Sequence, residues 1–176
     1  MAGVPASSAS AQALASGLCE NACHEPNAAY EAKGAGVQSR GLRIVVAEDD
    51  EDIRVLVERI FAHVGVEVTS VADGAAALLA LAEEAPDCLV VDLRMPDVDG
   101  MDVLDETGRS GSTVPVVLLT ASVESEVEVE ALAAGAVAVV RKPFQTKVLL
   151  TVVARAIRGA QPDRELPPRL VELAGA

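Results

Sequence analysis

The sequence predicts an α/β fold in which five strands form a doubly wound parallel sheet with helices on both faces. Three observations carry that prediction. Short apolar runs rich in Val and Leu (LRIVVA, VEVTSV, CLVVDL, VPVVLLT and AVAVV) recur between residues 42 and 140, and such runs suit strands that are covered on both faces. Segments of helical periodicity separate them, as the crossovers of parallel strands require. Polar residues of matched chemistry follow four of the runs: Glu48 and Asp49, Asp92, Thr120, and Lys142. In an open α/β sheet the edge where parallel strands finish is the ligand-binding crevice.

Residues 1–40 are Ala-, Ser-, Gly- and Asn-rich without sustained periodicity. They read as a disordered or loosely ordered N-terminal extension with few large apolar groups to bury. Cys19, Cys23 and His24 lie in it, but three residues separate the cysteines where a haem motif has two, and no second cluster completes a zinc site. The folded pattern begins at Leu42. After LRIVVA, Asp50 or Glu51 opens a helix in which Ile53, Leu56, Val57 and Ile60 share a face, and Gly65 ends it. His63 near its end suits the negative pole of the helix dipole. VEVTSV follows, then Asp73 as the cap of an Ala- and Leu-rich helix that stops near Pro86.

CLVVDL is the third strand, with Cys88 as a small core residue. A loop with Pro96 and Gly100 leads to a short helix reaching about Arg109, and Asp97, Asp99 and Asp102 there read as solvated or turn-forming. VPVVLLT is the fourth strand. Within the segment 123–134, residues 123–130 alternate apolar and acidic in VESEVEVE, a strand signal by itself. A crossover is needed there, so a helix is expected, weakened by repulsion between Glu124 and Glu128 and between Glu126 and Glu130. AVAVV is the fifth strand, and the last helix of the domain spans roughly 145–158. A short tail from Gln161, with three prolines and the apolar RLVELA, is too short for a second domain. The expected organisation is an extension at 1–40, a domain at 41–160 and a tail at 161–176.

Composition narrows the function. Hydrophobic residues make up 51% of 176 residues and aromatics only 2%, so the core is built of Ala, Val, Leu and Ile. A formal net charge of -13 argues against direct binding to DNA or an anionic membrane. No apolar run approaches the roughly 20 residues of a membrane span. The N-terminus lacks the basic and apolar regions of a signal peptide, so a cytoplasmic location is expected.

At the predicted sheet edge, Glu48, Asp49 and Asp92 form a cluster of like charges, which is unfavourable unless a cation neutralises it. Mg²⁺ prefers such hard oxygen ligands and keeps several waters. Asp92 can supply an attacking carboxylate oxygen, Lys142 a point charge for one phosphoryl oxygen and Thr120 a hydroxyl donor to another. Taken singly, each group has a plainer role: Glu48 and Asp49 as helix caps, Asp92 in an Asx-turn, Thr120 as a strand-end threonine, Lys142 as a surface charge. Their coincidence at one sheet edge favours a site for Mg²⁺ and a phosphoryl group.

Residues 42 to about 158 resemble the receiver domain of two-component response regulators. The resemblance rests on VVAEDD with Arg54 downstream, ADGAAAL, PDCLVVDLRMPDVDG, PVVLLTAS and AAGAVAVVRKPF. It implies a flavodoxin-like strand order 2-1-3-4-5. It also implies Asp92 as phosphoacceptor, Glu48 and Asp49 with the backbone carbonyl of Arg94 as Mg²⁺ ligands, Thr120 as switch hydroxyl and Lys142 as the phosphate-facing lysine. Pro143 matches a proline whose preceding peptide is often cis in this family. The implied partners are a sensor histidine kinase or histidine phosphotransfer protein, and a downstream protein met by the fourth helix, fifth strand and fifth helix. The alternative is a receiver-fold docking scaffold that is not phosphorylated. It draws on Val139, which stands where family members often carry a switching Tyr or Phe. A phosphatase would place a second acid two residues after the nucleophile; Arg94 stands there and cannot give up a proton. A signalling phosphoacceptor that catalyses only its own phosphorylation and dephosphorylation is therefore expected rather than an enzyme, and the acidic tail is no helix-turn-helix.

Overall fold

A computed structural model describes residues 40–122 and 124–175. The expectations for the N-terminal extension and for Cys19, Cys23 and His24 lie outside the described residues. The five strands are β1 (Arg43–Ala47), β2 (Glu67–Val71), β3 (Cys88–Asp92), β4 (Val116–Thr120) and β5 (Ala138–Arg141). They pair in the order β2-β1-β3-β4-β5, every pair parallel. The helices are α1 (Glu51–His63), α2 (Gly74–Glu84), α3 (Gly100–Arg109), α4 (Ser125–Ala133), α5 (Thr146–Ala160) and α6 (Pro168–Ala174). The predicted fold class and strand order are those observed.

The sheet sorts its side chains by the two-residue period of a strand. Ile44 and Val46 of β1, Val90 of β3, and Val117 and Leu119 of β4 join one apolar cluster with Val57 and Phe61 of α1 and Leu149, Leu150 and Val153 of α5. Val45 and Ala47, Leu89 and Val91, and Val116 and Leu118 join the other, with Ala77 and Ala80 of α2, Val103 and Leu104 of α3 and Ala131 of α4. The three central strands are thus covered on both faces, and each fully buried Val, Leu or Ile contributes roughly 1.5–3 kcal/mol. Phe61 is the one aromatic among the fully buried side chains of the described residues.

Asp50 caps α1, its side chain accepting from the N–H groups of Asp52 and Ile53 at 2.9 and 3.1 Å. Asp73 caps α2 as the sequence suggests, while Asp99 and Asp102, read from the sequence as solvated or turn-forming, form a capping box on α3. Gly65 follows the end of α1 with a φ of 81°, a left-handed conformation that glycine adopts without strain. Gly100 lets α3 start against the end of β3: a Cβ there would lie 2.6 Å from the Asp92 carbonyl oxygen. The segment expected as a helix from the need for a crossover is one: α4 spans Ser125–Ala133, and its N-cap Glu124 provides no side-chain cap.

Residues 161–175 are more than a trailing tail. Leu170 and Ala174 of α6 are buried in the α1–α5 cluster, and Arg164 reaches the start of β3. The buried Asp87 carboxylate accepts from Arg164 Nε and Nη2, both at 2.8 Å, from the Arg43 N–H at 2.9 Å and from Arg40 Nη2 at 3.3 Å. Burial acts to raise the Asp87 pKa, but the Arg164 pair, the Arg43 N–H and the charges of Arg164 and Arg40 outweigh it and hold the carboxyl below its usual 3.8. A carboxyl depressed by folding contributes stability above its unfolded pKa, and that contribution is lost as pH falls through the folded one. Asp87→Asn is expected to cost on the order of 3 kcal/mol at neutral pH. In urea unfolding followed from pH 7 downward, the gap to wild type should hold to about pH 4 and narrow below it.

Candidate phosphoryl and metal site

The C-terminal edge of the sheet gathers the predicted residues. Glu48 follows β1 and stays aligned with the sheet, its N–H donating to Val71 of β2 at 3.1 Å. Asp92 ends β3 and Thr120 ends β4. Lys142 follows β5, its N–H donating to the Thr120 carbonyl at 2.7 Å. Because this hydrogen bonding continues the parallel ladder, each functional side chain is fixed by the strand it terminates.

Glu48, Asp92 and Thr120 are buried and Asp49 is exposed. Carboxylate oxygens of Glu48, Asp49 and Asp92 lie within 4.8 Å of one another. Lys142 Nζ sits among them, at 2.6 and 2.9 Å from the two Glu48 oxygens and 3.1 Å from Asp92 Oδ2. Burial pushes the Glu48 carboxyl above its usual range, and the Asp92 and Asp49 charges push the same way, while the hydrogen bond and charge of Lys142 oppose them. The Lys142 side chain is only 12% exposed, so it is no solvated surface charge. The capping role that Glu48 and Asp49 could have played belongs to Asp50.

Thr120 Oγ1 accepts from the Ser122 N–H at 3.0 Å. A hydroxyl accepts and donates at once, so its proton remains available to a ligand. The Arg94 side chain is exposed on the loop after β3, two residues beyond Asp92. Val139 is part-buried against the α2–α4 side of the core, and the Lys142–Pro143 peptide is cis.

Arg54 is a contributor that sequence reasoning noted without a role. Its Nη1 donates to the carbonyls of Glu48 and Asp49 at 2.7 and 3.2 Å, bracing the backbone that carries both acids. Its place one turn into α1 is the only signal the sequence offered. The donor set suits a hard divalent cation: three carboxylates, two of them buried, with the exposed Asp49 on the solvent side.

The chain matches the family described as response regulator receiver domain over residues 44–154. It is 36% identical over 136 residues to the DNA-binding transcriptional regulator NtrC of Escherichia coli (strain K12), covering 77% of this chain and 28% of that regulator. It is 34% identical over 122 residues to the response regulator MprA of Mycobacterium leprae, covering 69% of this chain and 54% of MprA. The chain therefore spans less than a third of the first relative and about half of the second. Among solved structures, the Francisella response regulator 1452 receiver domain superposes with a TM-score of 0.66 at 27% identity, covering 69% of this chain and all of that one. NtrX from Brucella abortus in complex with ADP gives 0.66 at 31% identity, covering 70% of this chain and 29% of NtrX.

A divalent cation would compensate the same carboxylates as Lys142, so the two contributions should be distinguishable. In EDTA, Lys142→Met is expected to cost about 3 kcal/mol, since it leaves buried carboxylates without a counter-charge. Added Mg²⁺ should raise the melting temperature of both proteins, and more so for the variant, as differential scanning fluorimetry would record.

Proposed function

This chain belongs to the response regulator receiver domain family, and we propose that it is a phosphorylation switch whose acceptor is Asp92. The observation that carries the reading is the Lys142 ammonium, seated between Glu48 and Asp92 and delivered by a different strand from either. The proposed domain is 41–160, with 1–40 as an extension and 161–176 as a C-terminal segment. The proposed donor is a phosphohistidine on a sensor histidine kinase or histidine phosphotransfer protein, acting in the cytoplasm.

In the transfer, an Asp92 carboxylate oxygen forms the new O–P bond as the P–N bond to the donor imidazole breaks, and the imidazole nitrogen takes up a proton. Glu48, Asp49 and Asp92, with the Arg94 backbone carbonyl, would hold Mg²⁺. When bound, that ion neutralises charge on the phosphoryl oxygens. Arg54 holds the Glu48–Asp49 backbone in place for this. Lys142, released from Glu48, turns its charge to a phosphoryl oxygen. Thr120 donates its proton to another, and because its Oγ1 also accepts from Ser122, the β4–α4 loop is drawn with it.

The output is proposed to run through the α4–β5–α5 surface to a downstream protein. An aliphatic Val139 cannot serve as a two-position ring, so the shift is carried by the β4–α4 backbone and by α4, which lacks a side-chain cap.

Intact-protein mass spectrometry with acetyl phosphate and Mg²⁺ tests the acceptor. One phosphoryl adduct is expected on the wild type, absent in EDTA and in Asp92→Ala. No adduct with acetyl phosphate or with candidate kinases would favour the docking scaffold that needs no phosphorylation. The exposed Arg94 flanks the path of the water that hydrolyses the acyl phosphate. Arg94→Asn should therefore shorten the phosphorylated lifetime several-fold in a dephosphorylation time course, and an unchanged rate would remove this residue from the mechanism.

A further inference from the structure

Beyond the family match, which ends at residue 154, the chain turns back onto its own domain. Three kinds of contact hold residues 161–175 there. Arg164, 13% exposed, pairs with the fully buried Asp87 side chain and donates to the Gly41 carbonyl at 2.8 Å. Leu170 and Ala174 are 0% and 3% exposed and lie in the same apolar cluster as Val57, Phe61 and Val64 of the α1 region and Leu150, Val153 and Ile157 of α5. At the helix ends, Arg169 Nη1 donates to the His63 carbonyl at 3.2 Å, and Thr151 Oγ1 lies 2.7 Å from the Ala174 carbonyl. A hollow lined by Ile60, His63, Thr146, Leu150 and Leu173 marks the line along which α1, α5 and α6 meet.

We propose that residues 161–175 form an intramolecular strap, latched by Arg164 on Asp87, whose helix α6 occupies the lower α1–α5 face and closes it to any other chain. The apolar content of that face supports this: uncovered, it would expose the kind of contiguous patch that marks a protein-interaction site. The occupant is present in the chain itself and already satisfies the face with both apolar side chains and side-chain hydrogen bonds to backbone carbonyls. The first turns of α1 stay clear of α6, and there Ile53 and Leu56 line a separate hollow with Pro143 and Phe144. This inference does not depend on phosphorylation of Asp92.

The test uses the full chain, Leu170→Asp and Arg164→Ala variants, and a fluorescently labelled peptide of residues 161–176. Hydrogen exchange should show the amides of 168–175 exchanging about tenfold faster in Leu170→Asp, with β1 and β3 still protected. The peptide should bind Leu170→Asp about tenfold more tightly than wild type, because the face of the wild type is already filled. Arg164→Ala, which leaves every apolar residue in place, should shift both readouts the same way by a smaller factor and serves if Leu170→Asp does not fold. Equal peptide affinity for wild type and a variant with released α6 would overturn the proposal. So would wild-type α6 amides exchanging at unprotected rates. Acetyl phosphate labelling of the same samples reports the Asp92 chemistry separately, so the failure of one reading is distinguishable from that of the other.

Discussion

Burial of carboxylate charge at the C-terminal edge of the sheet is the constraint on which the site depends. An ionised carboxylate taken out of water is stable only when paired and hydrogen-bonded. Glu48 and Asp92 are both buried, adjacent and of like charge, and Lys142 is the cation that reaches both. One ammonium among three carboxylates leaves net negative charge, and the Glu48 carboxyl is lifted first by its burial and then by the neighbouring Asp92 and Asp49 charges, against the pull of Lys142. The pleat of β1, β3 and β5, and the ladder that continues into Glu48 and Lys142, keep these groups from relaxing apart.

The opposite edge of the sheet shows what full compensation looks like. There the single Asp87 carboxylate receives two bonds from Arg164, one from the Arg43 N–H and one from Arg40, and its pKa goes down rather than up. Both acids flank the same kind of apolar strand, so the difference comes from the count and direction of their donors. The satisfied end anchors the strand and the C-terminal segment. The under-compensated end retains a demand for more positive charge, which is the property a cation and phosphoryl site needs.

Much of this was legible in sequence because strand chemistry is local. CLVVDL announces both its burial and the acid that follows, and the recurrence of that pattern places Glu48, Asp49, Asp92, Thr120 and Lys142 at one edge without coordinates. The capping acids could be assigned by position, although only the structure separated Asp50, which caps α1, from its neighbours, which do not. What was not legible depends on long-range pairing. Arg164 and Asp87 are 77 residues apart, and nothing near either names the other. RLVELA is too short to show a helical period, so the burial of Leu170 and Ala174 follows only from the face that receives them. Arg54 stood in plain sight, but its role lies in two backbone carbonyls, which carry no sequence signal.

Helix α4 shows how local conflict and function can coincide. Its alternating sequence favours a strand, its acids repel at i and i+4, and its N-cap side chain satisfies no backbone donor. One of those acids, Glu128, is drawn off to Arg141 of β5 at 3.0 Å, and Ala131 is the one α4 residue buried in the core among those described. The helix is therefore held mainly by its connection between β4 and β5 and by modest packing. The loop before it starts from Thr120, the last residue of β4, and carries Ser122, whose N–H donates to the Thr120 hydroxyl. An element with little stability of its own, joined through Ser122 to the Thr120 hydroxyl, would respond to a small change in that hydrogen bond. Strengthening α4 with a better cap or a deeper apolar stripe would remove that responsiveness, so its poor helix-forming sequence is consistent with the switching role proposed for the domain.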